Sequence, residues 1–592
     1  MKEKIIKLFK SKIFIYIFLI IVILAQIIYF SCVFAFQKEG FHSDEMYSYG
    51  LSNSHRNPFL TIDGDIYSVE FKNVNEWISG DVLRDYLIVN DGEAFDYANV
   101  WYNQSLDRHP PLYYSVLHTV CSFFPNQFSP WFGFSVNIAV FVVLQIFLFL
   151  LAKKLFKSKW LAAIVCLCFG FSVGTVNVFI YIRMYAMLMM WVVIMAYIHT
   201  KLLDIKDDLK LKSLIPVTIV VMLGALTQHE FTIMAFVFAV MFCIRYLCKK
   251  QIENFFKYGI SMASGVALAW AVFPPLMGQV FTESGSQVDM RAFFIQIRVS
   301  IENIFGELFG IKGLSDGDKI YYMTVIPVFI IVIVLFALPI CFLFRKNEKF
   351  RSALLNFKNK FKEFPQTLKS FRPIKSIKEW LCRINFVYYP MLLGSLAIII
   401  ISAKSVLYYA MGYCDRYIFI TFPYMFLIFM AIIICILSKI KPLKKHNRYK
   451  IASVIAMIAI LINCNVNSSI GYLFKNEGMG DFKDLTKDSD CIVVELSKNF
   501  KWRLVCFTSE LYDVDKIFYT SYDEIDNYID KISSLKTDKP IYVFLTEYIN
   551  GLEEKPIEEI VENYSNSFGL GDFKNIGSVT IFSLKYYVYR IQ

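Results

Sequence analysis

The stretch IFIYIFLIIVILAQIIYFSCVFAF, residues 13–36, decides the fold of this chain. It holds roughly 20 consecutive apolar residues, and at about 1.5 Å of helical rise per residue that length crosses a hydrocarbon core about 30 Å thick. The basic segment before it, residues 1–12, resembles the first part of a signal peptide, but no small-residue cleavage site follows the apolar run. We therefore predict an uncleaved first membrane span with a cytoplasmic N-terminus.

The composition extends this prediction to the whole chain. Of 592 residues, 56% are hydrophobic and 17% aromatic, and the mean hydropathy is +0.48, which is well outside the usual range for soluble proteins. Length and hydropathy predict a polytopic α-helical membrane protein of about eleven spans. The predicted spans are 13–36, 131–152, 161–180, 184–203, 213–228, 231–248, 257–275, 320–344, 385–402, 417–438 and 451–466.

The basic residues give this arrangement a direction. Six Lys- and Arg-rich segments fall on one side of the membrane, and the positive-inside rule makes that side cytoplasmic. These segments are 1–12, 153–159, 201–212, 245–257, 345–380 and 439–450. The net charge of +11 therefore reports topology and contact with anionic lipid headgroups, and it gives no support to nucleic-acid binding. We expect a multi-pass protein of the plasma membrane with an extracytoplasmic C-terminus.

The same threading divides the chain into two domains. Residues 1–466 form the membrane domain, with a first external loop at 37–130 and a basic cytoplasmic loop at 345–384 that lies on the inner membrane surface. Residues 467–592 lie outside and alternate β-rich runs with helical stretches, so they predict a small α/β domain. This tail has no glycine fingerprint for a nucleotide, and we interpret it as a capping or partner-binding module. A scan should find residues 60 and 550 outside and residue 365 inside.

The 13 cysteines show no metal-ligand spacing, and most of them are expected to act as small buried hydrophobes. Cys491 and Cys506 share the external tail, so a disulfide between them is an alternative.

Two polar clusters lie at the two ends of the first external loop. FHSDEMYSYGLSNS, residues 41–54, places Asp44 and Glu45 directly after the first span, and DRHPPLYYSVLH, residues 107–118, opens another helix beside the membrane. For Asp44 the structural alternative is a helix N-cap, for which Ser43 or Asp44 is suited. For the second cluster the structural alternative is an interfacial aromatic belt.

Further polar residues occur at the predicted outer ends of later spans, where ionisable groups are costly and mark function by default, although arginines at helix ends also snorkel. They are Arg183 and Tyr185 in YIRMYAMLMMW, Gln228, His229 and Glu230 in LTQHEFTIM, and Arg416 and Tyr417 in YCDRYIFITFPY. All lie near the same external face on this topology, so we predict one cleft that contains both carboxylates and cations.

Taken in order, a DE after the first span, HPPLYY closing the first external loop, an R-M-Y, a T-Q-H and a late R-Y resemble the GT-C glycosyltransferases. The pattern covers about the first 430 residues and is similar to the family 39-like and RgtA/B/C/D-like enzymes, which are related to protein O-mannosyltransferases and aminoarabinose transferases. The resemblance implies a GT-C fold and a hexosyl- or pentosyltransferase. Such an enzyme takes a sugar from a polyprenyl-phosphate donor and adds it to an extracytoplasmic glycan, lipid or protein, usually with inversion.

The residue types suit that chemistry. The donor is a phosphodiester, and the polyprenyl phosphate that leaves the sugar needs cations where its negative charge develops. Arg183 and Arg416 are the first candidates because guanidinium groups bind phosphate through two N–H groups. The acceptor needs a base, and we expect partial desolvation to raise the pKa of Asp44 toward the working pH.

Other residues have supporting roles in this hypothesis. Glu45 would tune Asp44, orient the acceptor or join Asp44 in holding a divalent metal, the only cofactor considered. His109 and Arg108 are further candidates for binding the donor phosphate. The candidate substrate contacts are Tyr47, Tyr113, Tyr114, Tyr185, Gln228, His229, Glu230 and Tyr417, and interfacial packing is the alternative for the tyrosines.

Two other classes of protein remain open from the sequence. A transporter or lipid flippase would also be polytopic, but paired repeats and polar groups near the bilayer midplane are not evident. A membrane scaffold whose tail binds a partner is the second alternative, and loss of sugar transfer in a folded point variant would separate the enzyme from both.

Overall fold

The structure is a computed structural model of the 592-residue chain. It describes residues 13–281, 290–311, 385–405, 414–440, 448–474, 479–547, 557–582 and 584–591.

Most of the described chain before residue 468 is helical. The helices are α1 Phe14–Phe36, α2 Ser43–Asn53, α3 Gly80–Leu87, α4 Tyr97–Leu106, α5 Leu112–Ser122, α6 Pro130–Phe156, α7 Lys159–Gly170, α8 Val173–Ile180, α9 Tyr185–Leu202, α10 Leu211–Ala225, α11 His229–Cys248, α12 Ile252–Val272, α13 Pro275–Phe281, α14 Met290–Phe309, α15 Tyr388–Ser405, α16 Phe422–Lys439 and α17 Arg448–Asn467. A 3₁₀ segment, Cys414–Thr421, leads into α16.

Seven of the described helical segments are long and apolar enough to cross a membrane, or eight when the bent pair α7 and α8 counts as one span. α10 and α15 are shorter apolar helices. Ten of the eleven predicted spans therefore coincide with described helices, and the eleventh, 320–344, lies outside the described residues. The chain is a multi-pass helical membrane protein, as predicted.

The first span shows how these helices pack. Ile17, Ile20, Ile21 and Leu24 are exposed on α1, as suits a lipid-facing surface. Gln26 is fully buried, and its Nε2 donates to two backbone carbonyls of α7, both at 3.1 Å. A polar side chain inside this span is thus satisfied by a neighbouring helix, which is the usual role of buried amides in membrane proteins.

Helix α14 was missed by the sequence analysis, which placed no element between residues 275 and 320. Its charged pair Arg298 and Glu302, joined at 2.8 Å one helical turn apart, lowers its hydropathy below that of a span. Its end nevertheless packs into the bundle, because Asn463 donates to the carbonyls of Phe309 and Gly310 at 2.8 and 3.1 Å. α14 also packs against α15 and α8, and local hydropathy does not report such contacts.

The C-terminal part forms a small α/β domain, as predicted. Its strands are β2 Asp490–Glu495, β3 Lys516–Ser521, β4 Ile541–Thr546, β5 Phe573–Ile581 and β6 Leu584–Ile591. Its helices are α18 Met479–Thr486, α19 Ile529–Ser533 and α20 Ile557–Phe568, with 3₁₀ segments at Lys498–Phe507 and Ile525–Tyr528. The central strands β3, β2 and β4 are parallel, whereas β4, β6 and β5 pair antiparallel.

The sheet also contains a strand from the first loop. β1, Trp77–Ser79, pairs antiparallel with β3, which gives the strand order β1-β3-β2-β4-β6-β5. Two backbone hydrogen bonds also join this segment to the tail. Asn75 N donates to the Tyr519 carbonyl at 2.8 Å, and Gly80 N donates to the Asp515 carbonyl at 3.0 Å. The first loop and the tail therefore lie at the same end of the helical bundle.

Cys491 and Cys506 are both free and buried in this domain, so the alternative of a disulfide between them is wrong. They behave as small core residues.

Candidate active site

The short helix α2 carries the two carboxylates, and its N-cap is a residue the sequence analysis did not consider. His42 is extended, with φ −71° and ψ 148°, and its Nδ1 accepts from the backbone N of Asp44 at 3.0 Å. Glu45 completes the cap by accepting from the backbone N of His42 at 2.8 Å. The structural alternative, in which Ser43 or Asp44 caps the helix, is therefore wrong, and the side chain of Asp44 is left for other contacts.

Asp44 lies at the centre of a polar cluster drawn from distant parts of the chain. Its Oδ2 accepts from the Tyr181 hydroxyl at 3.2 Å. The same oxygen lies 3.5 Å from Arg416 Nε and 3.8 Å from His42 Nδ1. The Asp44 side chain is 23% exposed, so the surrounding residues do not cover it completely.

The electrostatics of Asp44 contradict one expectation. Burial by itself raises the pKa of this carboxyl, but the charges of Arg416 and Arg183 outweigh burial and hold the pKa well below its usual range. The prediction that desolvation raises the pKa of Asp44 is therefore wrong, because two guanidinium groups lie close to the carboxylate. Asp44 is ionised throughout the neutral pH range.

His42 has the opposite balance. Burial lowers its pKa to about 3, despite the opposing charge of Asp44. The ring is neutral at working pH, which leaves Nδ1 free to accept the capping hydrogen bond.

The two arginines contact Asp44 in different ways. Arg183 Nη1 donates to the Asp44 carbonyl and to Ser48 Oγ, both at 3.1 Å. Arg183 is only 4% exposed, and its Nε is buried without a hydrogen-bond partner among the described residues. Arg416 is 17% exposed and lies against the side chain of Asp44, while its Nη2 donates to the Tyr417 hydroxyl at 3.3 Å. Arg416 is thus the more accessible cation.

Glu45 is fully buried, and both of its carboxylate oxygens have partners within this chain. Its Oε1 accepts from Ile182 N at 2.9 Å, and its Oε2 lies 3.1 Å from Lys38 Nζ. These contacts tie α2 to the segment before α9 and to the end of the first span. The carboxylate positions α2 rather than facing the exposed side of Asp44.

The carboxylates do not fit a divalent metal. Both Glu45 oxygens are engaged by N–H donors and an ammonium group, while Asp44 faces the guanidinium group of Arg416. Within the described ranges, no group of three or more His, Cys, Asp or Glu side chains has the arrangement of a metal site.

A second polar cluster lies at the start of α5 and α11. His109 Nδ1 donates to Asp107 Oδ2 at 2.6 Å, and His109 is 23% exposed whereas Asp107 is 4% exposed. Burial raises the pKa of Asp107, but the charge and hydrogen bond of His109 outweigh it and the pKa is lowered. His109 also contributes to the low pKa of Asp44. The two clusters therefore interact electrostatically.

The remaining members of this cluster are held by backbone contacts. His229 Nε2 donates to the Arg108 carbonyl at 3.1 Å, and Gln228 caps α11 by accepting from the backbone N of His229. The Arg108 guanidinium lies over the Tyr67 ring at 4.5 Å. Glu230 Oε2 is buried without a hydrogen-bond partner among the described residues.

The candidate tyrosines fall into two groups. Tyr113 and Tyr114 are fully buried, and Tyr185 is 3% exposed and stacks on Tyr181. Tyr47 and Tyr417 are half-buried and lie beside Asp44 and Arg416 in the chain. Only Tyr47 and Tyr417 thus present part of their side chains at the surface of the site.

Several site residues were missed by sequence reasoning. They are Lys38, His42, Tyr181, Glu307, Asp415 and Tyr472. Tyr472 donates to Asp415 Oδ1 at 2.6 Å, and Asn177 donates to Glu307 Oε2 at 2.9 Å. His42 and Asp415 had a signal, because each lies within two residues of a candidate; Glu307 had none, because its helix was not predicted.

The fold and the site define a multi-pass helical membrane protein with a partly exposed carboxylate and guanidinium cluster at the end that carries a small α/β domain. No family model and no curated protein matches the sequence. Among solved structures, the chain is similar to ArnT from Cupriavidus metallidurans bound to undecaprenyl phosphate, with TM-score 0.43 and 9% identity over 96% of this chain and 97% of that chain. The apo state of ArnT gives TM-score 0.41 at the same identity and coverage. A likeness at this level decides neither the fold family nor the chemistry.

Proposed function

We propose that this protein is a membrane glycosyltransferase that moves a sugar from a polyprenyl-phosphate donor to a glycan, lipid or protein acceptor outside the membrane. The observation that carries the proposal is the partly exposed Asp44 carboxylate, held against Arg416 and beside Arg183 at one end of the bundle. The ordered resemblance of the sequence to GT-C enzymes supports the same reading.

The cations are suited to the leaving group. Breaking the bond between the sugar and the lipid phosphate leaves negative charge on the phosphate, and preorganised guanidinium groups stabilise such charge most where water is excluded. Arg416 is the accessible cation, and in our proposal it binds the donor phosphate together with Arg183, His109 and Arg108. The lipid tail of the donor would stay in the membrane, which explains why this chemistry lies at a membrane end.

Asp44 is suited to the acceptor. In our proposal it accepts the proton of the acceptor hydroxyl or amine as the new bond to the sugar forms, when that proton becomes acidic. The donor phosphate would compete with Asp44 for Arg416, which would raise the basicity of the carboxylate only after the donor has bound. Such coupling would keep Asp44 ionised and unreactive until both substrates are in place.

The other candidates take supporting roles. Glu45 fixes α2, and Tyr47 and Tyr417 line the accessible side of the site. Gln228, His229 and Glu230 lie further from Asp44 and would contact the sugar. Tyr113, Tyr114 and Tyr185 are buried and take a packing role. No step in this proposal uses a metal.

The test offers the purified protein a panel of polyprenyl-phosphate hexoses and pentoses with candidate acceptors, and follows release of the free polyprenyl phosphate together with formation of the glycosylated acceptor. We expect turnover with one donor by the wild type and its loss in Asp44→Asn. Movement of an uncleaved donor between membrane leaflets without any transfer would instead identify a flippase. Absence of both activities across the panel would contradict the proposal.

A further inference from the structure

The C-terminal domain contacts the helix that carries Asp44. Tyr47 donates from its hydroxyl to the backbone carbonyl of Trp502 at 3.4 Å. The ring of Phe582, at the turn between β5 and β6, lies against the ring of His42 with centroids 4.4 Å apart and planes at 79°. The domain therefore touches α2 at its cap and one turn further along.

The turn that carries Phe582 is held in an unfavourable backbone conformation. Phe582 has φ 43°, and Phe474, whose ring also packs on His42 at 5.6 Å, has φ 44°. Bulky residues rarely adopt the left-handed region, and they do so where surrounding contacts enforce it. Because both Phe582 and Phe474 pack on the His42 ring with this backbone conformation, we infer that the fold enforces their contact with the cap of α2.

A buried ion pair clamps the same turn. Arg503 Nη2 donates to the carbonyl of Ile581 at 2.7 Å, and its Nη1 donates to the carbonyl of Phe582 at 3.3 Å. Its Nε donates to Glu495 Oε1 at 3.3 Å, and the side chains of this pair are 4% and 1% exposed. Burying such a pair is costly, so it fixes a position better than it adds stability.

The aromatic rings at this junction are not fully covered. Tyr47, Trp502 and Phe582 are all half-buried, and the rings of Trp502 and Phe582 meet edge to face with centroids 6.1 Å apart. Tyr47 follows Asp44 by three residues, so both lie on the same face of α2. A partly exposed aromatic surface thus borders the reactive carboxylate on the side of the C-terminal domain.

We propose that Trp502 and Phe582, with Tyr47, form the wall of the acceptor subsite, and that the acceptor presents a sugar ring to it. This inference rests on the proposed function. Aromatic faces bind molecules that combine an apolar ring face with hydroxyl groups at the edge, and binding sites are commonly built from such surfaces with few polar groups. The C-terminal domain thereby selects the acceptor, whereas the membrane domain binds the donor.

The test compares Michaelis constants in two variants. Trp502→Ala removes the ring but keeps the backbone carbonyl that binds Tyr47, and Phe582→Gly removes the ring at a position where glycine adopts the backbone angle without strain. With methyl glycosides of hexoses, pentoses and hexosamines as acceptor probes, we expect KM for the acceptor to rise about five- to tenfold. KM for the donor should change less than twofold. Trp270→Ala, at a half-exposed tryptophan of α12, is the matched control.

The outcomes are distinguishable. Wild-type transfer with an unchanged acceptor KM in both variants, or an equal rise in both Michaelis constants, overturns the acceptor wall and leaves the glycosyltransferase proposal standing. Absence of transfer by the wild type with every donor overturns both. Phe582→Gly removes the ring that packs on His42 and is expected to lower stability, whereas Trp502→Ala leaves the His42–Phe582 contact in place, so Trp502→Ala carries the test alone if Phe582→Gly does not fold.

Discussion

Replacement of Asp44 by Asn removes a charge from the centre of the site and changes little else. Asn has the same size and still accepts from the Tyr181 hydroxyl. The cap of α2 depends on the backbone N of residue 44 and on His42, and the substitution leaves both in place. The variant should therefore fold.

The cost in stability follows from exposure. Asp44 and Arg416 are 23% and 17% exposed, so their ion pair lies between the surface and buried cases. Loss of a partner costs about 0–1 kcal/mol in surface pairs and about 3–5 kcal/mol in buried pairs. We expect the free energy of unfolding to fall by about 1–2 kcal/mol. Turnover should fall far more, by about 10²–10⁴-fold, which is the usual contribution of a general base.

The assay measures release of polyprenyl phosphate as a function of pH. Because the pKa of Asp44 is lowered, its stabilising interactions are present above the ordinary carboxyl pKa of about 3.9 and are lost only as the pH falls toward the lower folded value. Between pH 5 and 8 Asp44 does not titrate, so no acid limb of kcat/KM in the free enzyme belongs to it. Asp63→Asn, at a loop carboxylate that is 65% exposed, is the matched control.

Two results would refute this reasoning. Near-normal turnover of Asp44→Asn with a verified donor would remove Asp44 as the base. An acid limb near pH 6 in the wild type that disappears in Asp44→Asn would show that the pKa is raised, so the arginines would not face the carboxylate in the working enzyme.

Three further predictions test other parts of the structure. Arg416→Lys should raise the donor KM by about tenfold or more, because a point charge loses one or more directed contacts of about 1–3 kcal/mol each; unchanged kinetics would confine Arg416 to holding Asp44. In Gly80→Ala an added Cβ lies 2.0 Å from a backbone carbonyl oxygen of the C-terminal domain, so the melting temperature should drop, whereas Gly471→Ala meets nothing within 4 Å and should not change it. Cysteines introduced at residues 65 and 365 should react with an impermeant reagent only from outside and only from inside the cell, respectively, and labelling of residue 365 from outside would contradict the topology.

The membrane spans could be predicted from sequence because a helix in lipid must satisfy its own backbone and present apolar side chains, which leaves a continuous signal. The exception, α14, shows the limit of that signal. It packs against α15, α17 and α8, and Asn463 on α17 donates to two carbonyls at its end. Hydropathy averaged along α14 contains no information on such a contact.

The proximity of Asp44, Arg183 and Arg416 was predictable from the sequence, whereas their electrostatics and several neighbouring residues were not. Because successive loops lie on alternate sides of the membrane, the sequence predicts that Asp44, Arg183 and Arg416 lie at one end of the bundle. The structure has Arg183 and Arg416 in contact with Asp44. The direction of the pKa shift depends on whether burial or the guanidinium charges dominate. That balance depends on how the side chains are oriented over a few ångströms, and the spacing of residues in the sequence does not give this orientation. His42 was not among the cap residues considered, because Ser, Asp and Asn are the usual N-cap residues.

The position of α2, and therefore of Asp44, depends on contacts with the C-terminal domain as well as on the helical bundle. β1 comes from the first loop but pairs with β3 of the tail, and the cap residue His42 has Phe582 of the tail on its ring. A helical bundle without the tail would therefore keep Arg183 and Arg416 but would lose contacts on α2, the helix that presents Asp44 to them. Since the reactive carboxylate and its cations belong to elements that are joined partly through the tail, integrity of the bundle alone does not guarantee a correctly formed site. Gly80→Ala, which strains the junction without touching any charged residue, should for this reason lower turnover as well as stability.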